Sequence, residues 1–200
     1  MNKQYVITIT RQFGSLGRQV AQKVSELLGI EYYDRDIVDA AAKKMNLPSS
    51  AITEAEENAK VSFFNMQYPL GLGTTKIQDK VFETQQELIN EYAEKESCIV
   101  VGRCSDYILR DYPRALHIFL YASYEERIVN CVNALYLKPD EAKKMIKSVD
   151  AARSSYHKHY AGYLPGDKNH FQLQFDTALL GVDDTAEIIA EIAKKYFELD

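Results

Sequence analysis

The sequence predicts a doubly wound α/β fold, a mostly five-stranded parallel sheet with helices on both faces. Three observations carry that expectation. Short β-branched or apolar runs open near residues 5, 31, 97, 115 and 171, and each is followed by a stretch with helical apolar spacing. The first run passes through a glycine-containing turn straight into a helix, an order that aims backbone N–H groups and the positive end of a helix dipole at an anion. The 200 residues, 46% of them hydrophobic, suit a single domain with a real core, and neither repeat nor linker divides them.

Composition excludes several classes of function. A net charge of −5 and a pI near 5.5 argue against a chain-wide basic surface for nucleic acid. No stretch of about 18 uninterrupted apolar residues exists, and MNKQYVITIT is already a core strand, so neither a membrane span nor a signal peptide is expected and the reading is cytoplasmic. Cys98, Cys104 and Cys131 form no CxxC pair and have no histidine at ligand spacing. Reduced thiols are expected, and no metal-ligand set is read from the chain. A homo-oligomer is left open.

Taken in order, Tyr5 to Thr10 is the first buried strand, and Val20, Val24, Leu27 and Leu28 give a helix that Gly29 ends. Between them lies RQFGSLGRQ, with Arg11 and Arg18 bracketing Gly14, Ser15 and Gly17. Measured against the phosphate-binding pattern GxxxxGK[ST], one register ends on Gly17, Arg18 and Gln19. It puts Gln12 at the first glycine, Arg18 at the lysine and Gln19 at the hydroxyl. Starting one residue earlier puts Arg11 and Leu16 at the glycines, which fits less well. An arginine can supply the missing cation. The missing hydroxyl has only Ser15 and Thr10 as neighbours to replace it. An ordinary strand-to-helix turn is the alternative.

Ile30 to Tyr33 is a short strand ending in Asp34, Arg35 and Asp36, at the sheet edge where ligands bind in open parallel sheets. Asp34 is read either as a helix cap or as a ligand-facing group. NLPSS breaks the chain before a short acidic helix running through Lys60, and residues 61–75 read as a surface loop or flap. Thr75 to Lys95 is a long helix whose Asp79, Glu83, Glu87 and Glu91 make one solvated stripe. SCIVV is the third strand, and GRCSD at its end brings Arg103 toward the first turn. ALHIFLY is the fourth, with His117 read as a satisfied core residue. Ser123 and Glu126 form a capping box for the next helix, where Arg127 is either a phosphate contact or a surface ion pair. Lys138 to Tyr160 gives one or two cationic helices carrying Lys147, Asp150 and Arg153. Phe171 to Phe175 is the last strand, and Asp184 to Leu199 the last helix.

These residues resemble a known family. ITITRQFGSLGR followed by LLGIEYYDRDIV is similar to the cytidylate kinase-like branch of the P-loop nucleoside monophosphate kinases, which reads close to ISREYGSGGR and LGxxxYD, with Leu16 in place of one glycine. GRCSD resembles the GRD segment of cytidylate kinases, with Arg103 retained, Cys104 at the aspartate and Asp106 two residues on. ASYEER, VDAARSSYHKHY and FDT resemble the family's ASxEER, VDxxRxxYYxxY and (L/I)(D/N)T(S/T), in family order.

The resemblance implies phosphoryl transfer from a nucleoside triphosphate to a monophosphate or similar small acceptor, with Mg²⁺ accompanying ATP. It assigns Arg18, Asp150 and Arg153 to catalysis, and Arg11, Gly14, Ser15, Gly17, Arg18 and Gln19 to donor phosphates. It assigns Asp34, Arg35, Arg103 and Asp106 to the acceptor. Arg127 and Lys147 would belong to a lid at about 138–165, and an acceptor-binding insertion would lie at about 50–75. Two alternatives stand beside it. The altered loop suits a non-catalytic nucleotide or phosphometabolite sensor, and Cys104 suits a different small acceptor.

Overall fold

The computed structural model describes residues 4–57 and 74–199. Five strands form one parallel sheet: β1 (Val6–Arg11), β2 (Glu31–Tyr33), β3 (Cys98–Val101), β4 (Ala115–Tyr121) and β5 (Leu173–Asp176), in the order β2-β3-β1-β4-β5. The first strand is thus central, with Val6 in register with Cys98 on one side and Ala115 on the other. The fold predicted from sequence is the fold observed.

Alternation along β1 explains the two covered faces. Ile7 and Ile9 point into a core with Val20 and Val24 of α1 (Gly17–Leu28) and Ile189 and Phe197 of α8 (Thr177–Phe197). Val6 faces the other way, joining Ile37 of α2 (Arg35–Met45) and Ile89 of α4 (Thr74–Lys95). Each fully buried Val or Ile contributes about 1.5–3 kcal/mol against an exposed reference. All strand ends therefore point their carboxyl edges the same way. A crevice forms there.

The remaining helices among the described residues are α3 (Ser49–Glu57), α5 (Ser105–Ile108), α6 (Tyr124–Asn133) and α7 (Pro139–Ala161). Within α3, Ile52 is fully buried and packs with Val38 and Val81. Residues 58–73 of the expected insertion lie outside the described residues. The cationic segment is one helix, α7, with Pro139 in its first turn where the lost N–H costs nothing. It is anchored at both ends, because Ile146 packs with Cys131 and Ala142 near the start and Tyr156 with Phe82 and Cys104 further along.

The last helix begins earlier than its period suggests. Asp176 caps a first turn from Thr177 by accepting from the Ala178 amide at 3.0 Å. Gly181, at φ 77° and ψ −177°, then breaks the turn from the helix proper. Ser123 caps α6 as expected, accepting from the Glu126 amide at 3.2 Å. His117 is a core residue, with Thr8 Oγ1 2.8 Å from its Nδ1. All three cysteines are buried, and none forms a disulfide among the described residues. Among the described residues no helix is long and apolar enough to cross a membrane.

Candidate functional site

The crevice holds a cavity of about 600 Å³, floored by the ends of β1, β2 and β3 and walled by α2 and α7. Arg11, Arg18, Arg35, Arg103 and Arg153 all line it. Among its described lining residues Asp34 is the one carboxylate. Five arginines thus reach it from four separate chain segments.

Each cation is placed by a local device. Arg11 ends β1 and lies against Gly102, where a Cβ would sit 2.1 Å from Arg11 Nη1. A Cβ there would force the Arg11 guanidinium to move, and the φ of 74° favours glycine. The turn continues through Arg103 at φ 60° and Cys104 at φ 54°, two further left-handed residues that carry side chains. Such conformations cost on the order of 1–3 kcal/mol each and cluster at functional sites. Here the turn delivers Arg103 to the cavity. Arg153 reaches down from α7 and donates from Nη1 to the Arg11 carbonyl at 3.0 Å.

Electrostatics register the crowding. Burial, then repulsion from Arg153, pulls the Arg11 guanidinium down to about 9, with Asp34 opposing and Arg103 and Arg18 adding to the fall. It remains a cation at neutral pH. Arg153 is also lowered, first by burial, with Asp150 opposing and Arg103 adding. Burial alone would raise the Asp34 carboxyl, yet Arg11, Arg18 and Arg103 outweigh it and hold the group below its ordinary value. Asp34 accepts from Arg18 Nε at 2.5 Å, from the Tyr32 hydroxyl at 3.3 Å and from Arg11 Nη2 at 3.5 Å. One carboxylate against five guanidinium groups leaves an excess of positive charge that an anionic ligand would neutralise.

The glycine turn itself stands apart from the cavity. Gly14, Ser15, Gly17 and Gln19 are not among its lining residues. Gly14, at φ 79°, packs so tightly on α6 that a Cβ would come within 2.9 Å of the Arg127 carbonyl oxygen. Ser15 Oγ donates to the Gln12 carbonyl at 3.0 Å, and the Ser15 carbonyl accepts from Thr177 Oγ1 at 2.8 Å. Asp150 accepts from the Phe13 amide at 2.8 Å and pairs through its other oxygen with Arg127, which also donates to the Phe13 carbonyl at 3.3 Å. Asp150 and Arg127 thus hold both polar groups of one loop residue and do not line the cavity. Lys147 is exposed, also away from the lining.

Asp106 does not itself line the cavity, but two of its partners, Thr10 and His157, do. It is 1% exposed and accepts from Thr10 Oγ1 at 3.2 Å, Tyr163 Oη at 2.8 Å and His157 Nε2 at 2.9 Å. His157 Nδ1 lies 2.9 Å from the Tyr163 carbonyl, which can only accept. Both ring nitrogens therefore donate, and His157 is an imidazolium paired with Asp106. His157 and Tyr163 were missed from sequence. The one available signal was His157 standing where the family pattern has a second tyrosine.

Strand order, glycine turn and a cationic crevice at the carboxyl edge define an α/β protein of the P-loop kinase type. The chain belongs to the cytidylate kinase-like family, whose model matches residues 6–179. An uncharacterized protein from Eubacterium ventriosum is similar in structure, with a TM-score of 0.71 and 24% identity over 96% of this chain and 99% of that one. Shikimate kinase from Acinetobacter baumannii, in complex with shikimate, matches with a TM-score of 0.53 and 14% identity, covering 97% and 95%. A gluconokinase from Sinorhizobium meliloti matches with a TM-score of 0.55 and 14% identity over 100% of both chains. At these identities the likeness shows the fold. No match is found in a search of the curated proteins.

Proposed function

We propose that this chain moves a phosphoryl group from a nucleoside triphosphate to a small anionic acceptor, for which a nucleoside monophosphate is the class suggested by the family's name. The observation that carries the reading is the convergence of five arginines on one cavity at the ends of β1, β2 and β3. Arg11, Arg18, Arg103 and Arg153 would neutralise the transferring group and hold the acceptor. Asp150 and Arg127 would act indirectly, by keeping the loop backbone in place for the donor phosphates.

Mg²⁺ accompanies ATP in this chemistry, but the residues present do not build a protein site for it. Gln19 stands where the pattern has a hydroxyl, and Ser15 Oγ is engaged with Gln12. Among the described residues no group of three His, Cys, Asp or Glu side chains could hold a metal ion. The ion would have to arrive with the triphosphate.

A second reading, a non-catalytic sensor of nucleotides or phosphometabolites, is favoured by one feature. Arg18, at the lysine position, is directed at Asp34. Thermal unfolding against nucleoside mono-, di- and triphosphates, with and without Mg²⁺, followed by a turnover assay, separates the two. A ligand at about 100 times its Kd adds roughly 2.7 kcal/mol. Stabilisation by a triphosphate with Mg²⁺ and turnover of an added acceptor supports transfer. Stabilisation without turnover supports the sensor, and no shift with any phosphate ligand refutes both.

A further inference from the structure

Asp34 sits at the N-cap of α2, where an aspartate ordinarily accepts a bond from an amide two or three residues on. It does not do so. Its backbone, at φ −134° and ψ −83°, turns the side chain away, and no capping bond forms. The carboxylate is instead 2% exposed in the cavity wall between Arg11 and Arg18. Among the described residues, Oδ2 takes the bonds from Arg18 and Tyr32, while Oδ1 has only the 3.5 Å contact from Arg11. A carboxylate oxygen has lone pairs beyond that one weak contact.

The position of this charge bears on what the cavity accepts. A phosphate oxygen that attacks from beside Asp34 carries negative charge toward that carboxylate and is repelled by it. A hydroxyl acceptor is neutral and must lose a proton as its oxygen attacks. An ionised carboxylate within hydrogen-bond reach can take that proton.

We propose that Asp34 receives the proton of an acceptor hydroxyl, so that the acceptor is a small hydroxylated anion whose carboxylate or phosphate rests on Arg103 and Arg153. The inference rests on the phosphotransferase reading above and narrows its acceptor. The acceptor oxygen forms a bond to the γ-phosphorus, the bond from that phosphorus to the β–γ bridging oxygen breaks, and the nucleoside diphosphate leaves with that electron pair. The hydroxyl proton passes to Asp34 Oδ1. In a loose transition state the attacking oxygen becomes acidic only as its new bond forms, so an aspartate that the neighbouring arginines keep ionised suffices.

The full chain is incubated with ATP and Mg²⁺ and with each of three acceptor sets: hydroxy acids, sugar phosphates and nucleoside monophosphates. Diphosphate release is followed by a coupled assay and the product linkage by ³¹P NMR. A phosphomonoester from either hydroxyl set is the expected result, and the set that reacts identifies the anionic group as carboxylate or phosphate. A phosphoanhydride from a nucleoside monophosphate overturns the inference while leaving phosphotransfer intact. No transfer to any set overturns both. Asp34→Asn should lower kcat about a hundredfold or more while triphosphate stabilisation persists. Should that variant fail to fold, the wild-type product linkage still decides.

Discussion

Replacing His157 with phenylalanine tests the buried ion pair that joins α7 to the turn after β3. His157 is 4% exposed and Asp106 1%. The substitution keeps an aromatic ring and leaves Asp106 charged, with only the Thr10 and Tyr163 hydroxyls to hold it. Removing one partner of a buried pair costs about 3–5 kcal/mol, because the remaining charge is uncompensated. With a urea dependence of about 2 kcal/mol per molar, the unfolding midpoint should fall by roughly 1.5–2.5 M. The pH dependence has a definite sign. Burial alone would lower the His157 pKa, but the Asp106 hydrogen bond and charge, together with the Tyr163 carbonyl, raise it above its ordinary value. Its contribution is therefore fully present below about pH 6.5 and is lost as pH rises through the folded pKa. Burial would likewise raise Asp106, yet His157 and Tyr163 hold it lowered, so its contribution is present above about pH 4 and lost as pH falls through its folded pKa. The gap between wild type and His157→Phe should be widest between those two limits and close on the alkaline side. A loss under about 1 kcal/mol, the range of an exposed pair, refutes the reasoning. So does an NMR titration in which His157 loses its proton below pH 6.5.

Four further outcomes follow from the site. Gly102→Ala should expel the Arg11 guanidinium, since its Cβ would lie 2.1 Å from Nη1 at a left-handed φ; isothermal titration should show weakened phosphate-ligand binding, and a melt should show a loss of more than about 1 kcal/mol. Arg103→Ala and Arg153→Ala should each weaken acceptor binding about 10- to 150-fold, the equivalent of about 1.5–3 kcal/mol for a charged hydrogen bond; unchanged KM and kcat in both would contradict the assigned roles. Asp150→Ala should release the Phe13 amide and raise the donor KM more than the acceptor KM; an equal effect on both substrates would count against a loop-holding role. Lys147→Ala, at an exposed position away from the cavity, should leave both kinetic constants and the melting temperature within error.

The fold was legible because its signals are local and repeated. Strand runs alternate with helical periods, and β1 is buried on both faces, as a central parallel strand must be. The cations of the site were legible for a related reason. Arg11, Arg103 and Asp34 stand at strand ends, and parallel topology brings those ends together. What was not legible depends on rotations that period and composition do not encode. Asp106 and Asp34 are the same residue type, and each follows the carboxyl end of a strand. Nothing in their neighbours says that one turns to His157 and the other to Arg18. Nor does any pattern announce that Arg103 and Cys104 take left-handed backbones, since both residue types favour ordinary conformations.

The departures from GxxxxGK[ST] then acquire a common physical sense. In that pattern the loop carries the lysine and the hydroxyl, and so gathers the donor chemistry into itself. Here the cation at the lysine position is Arg18, and it reaches across to Asp34 at the end of β2. The loop is held by Asp150 and Arg127, which make the backbone bonds at Phe13 that fix its shape. Positive charge has moved from the turn to the crevice between β1, β2 and β3, where five guanidinium groups face one carboxylate. A cluster of like charges is unfavourable without a counter-charge, and Arg11, drawn down to about 9 first by burial and then by Arg153, shows both effects on its most enclosed member. Anion binding relieves that repulsion and should therefore stabilise the fold by more than its direct hydrogen bonds supply. Melting temperature should rise on adding a dianion, and the rise should shrink on removing either Arg103 or Arg153. A rise of the same size in both variants would mean that the anion sits elsewhere.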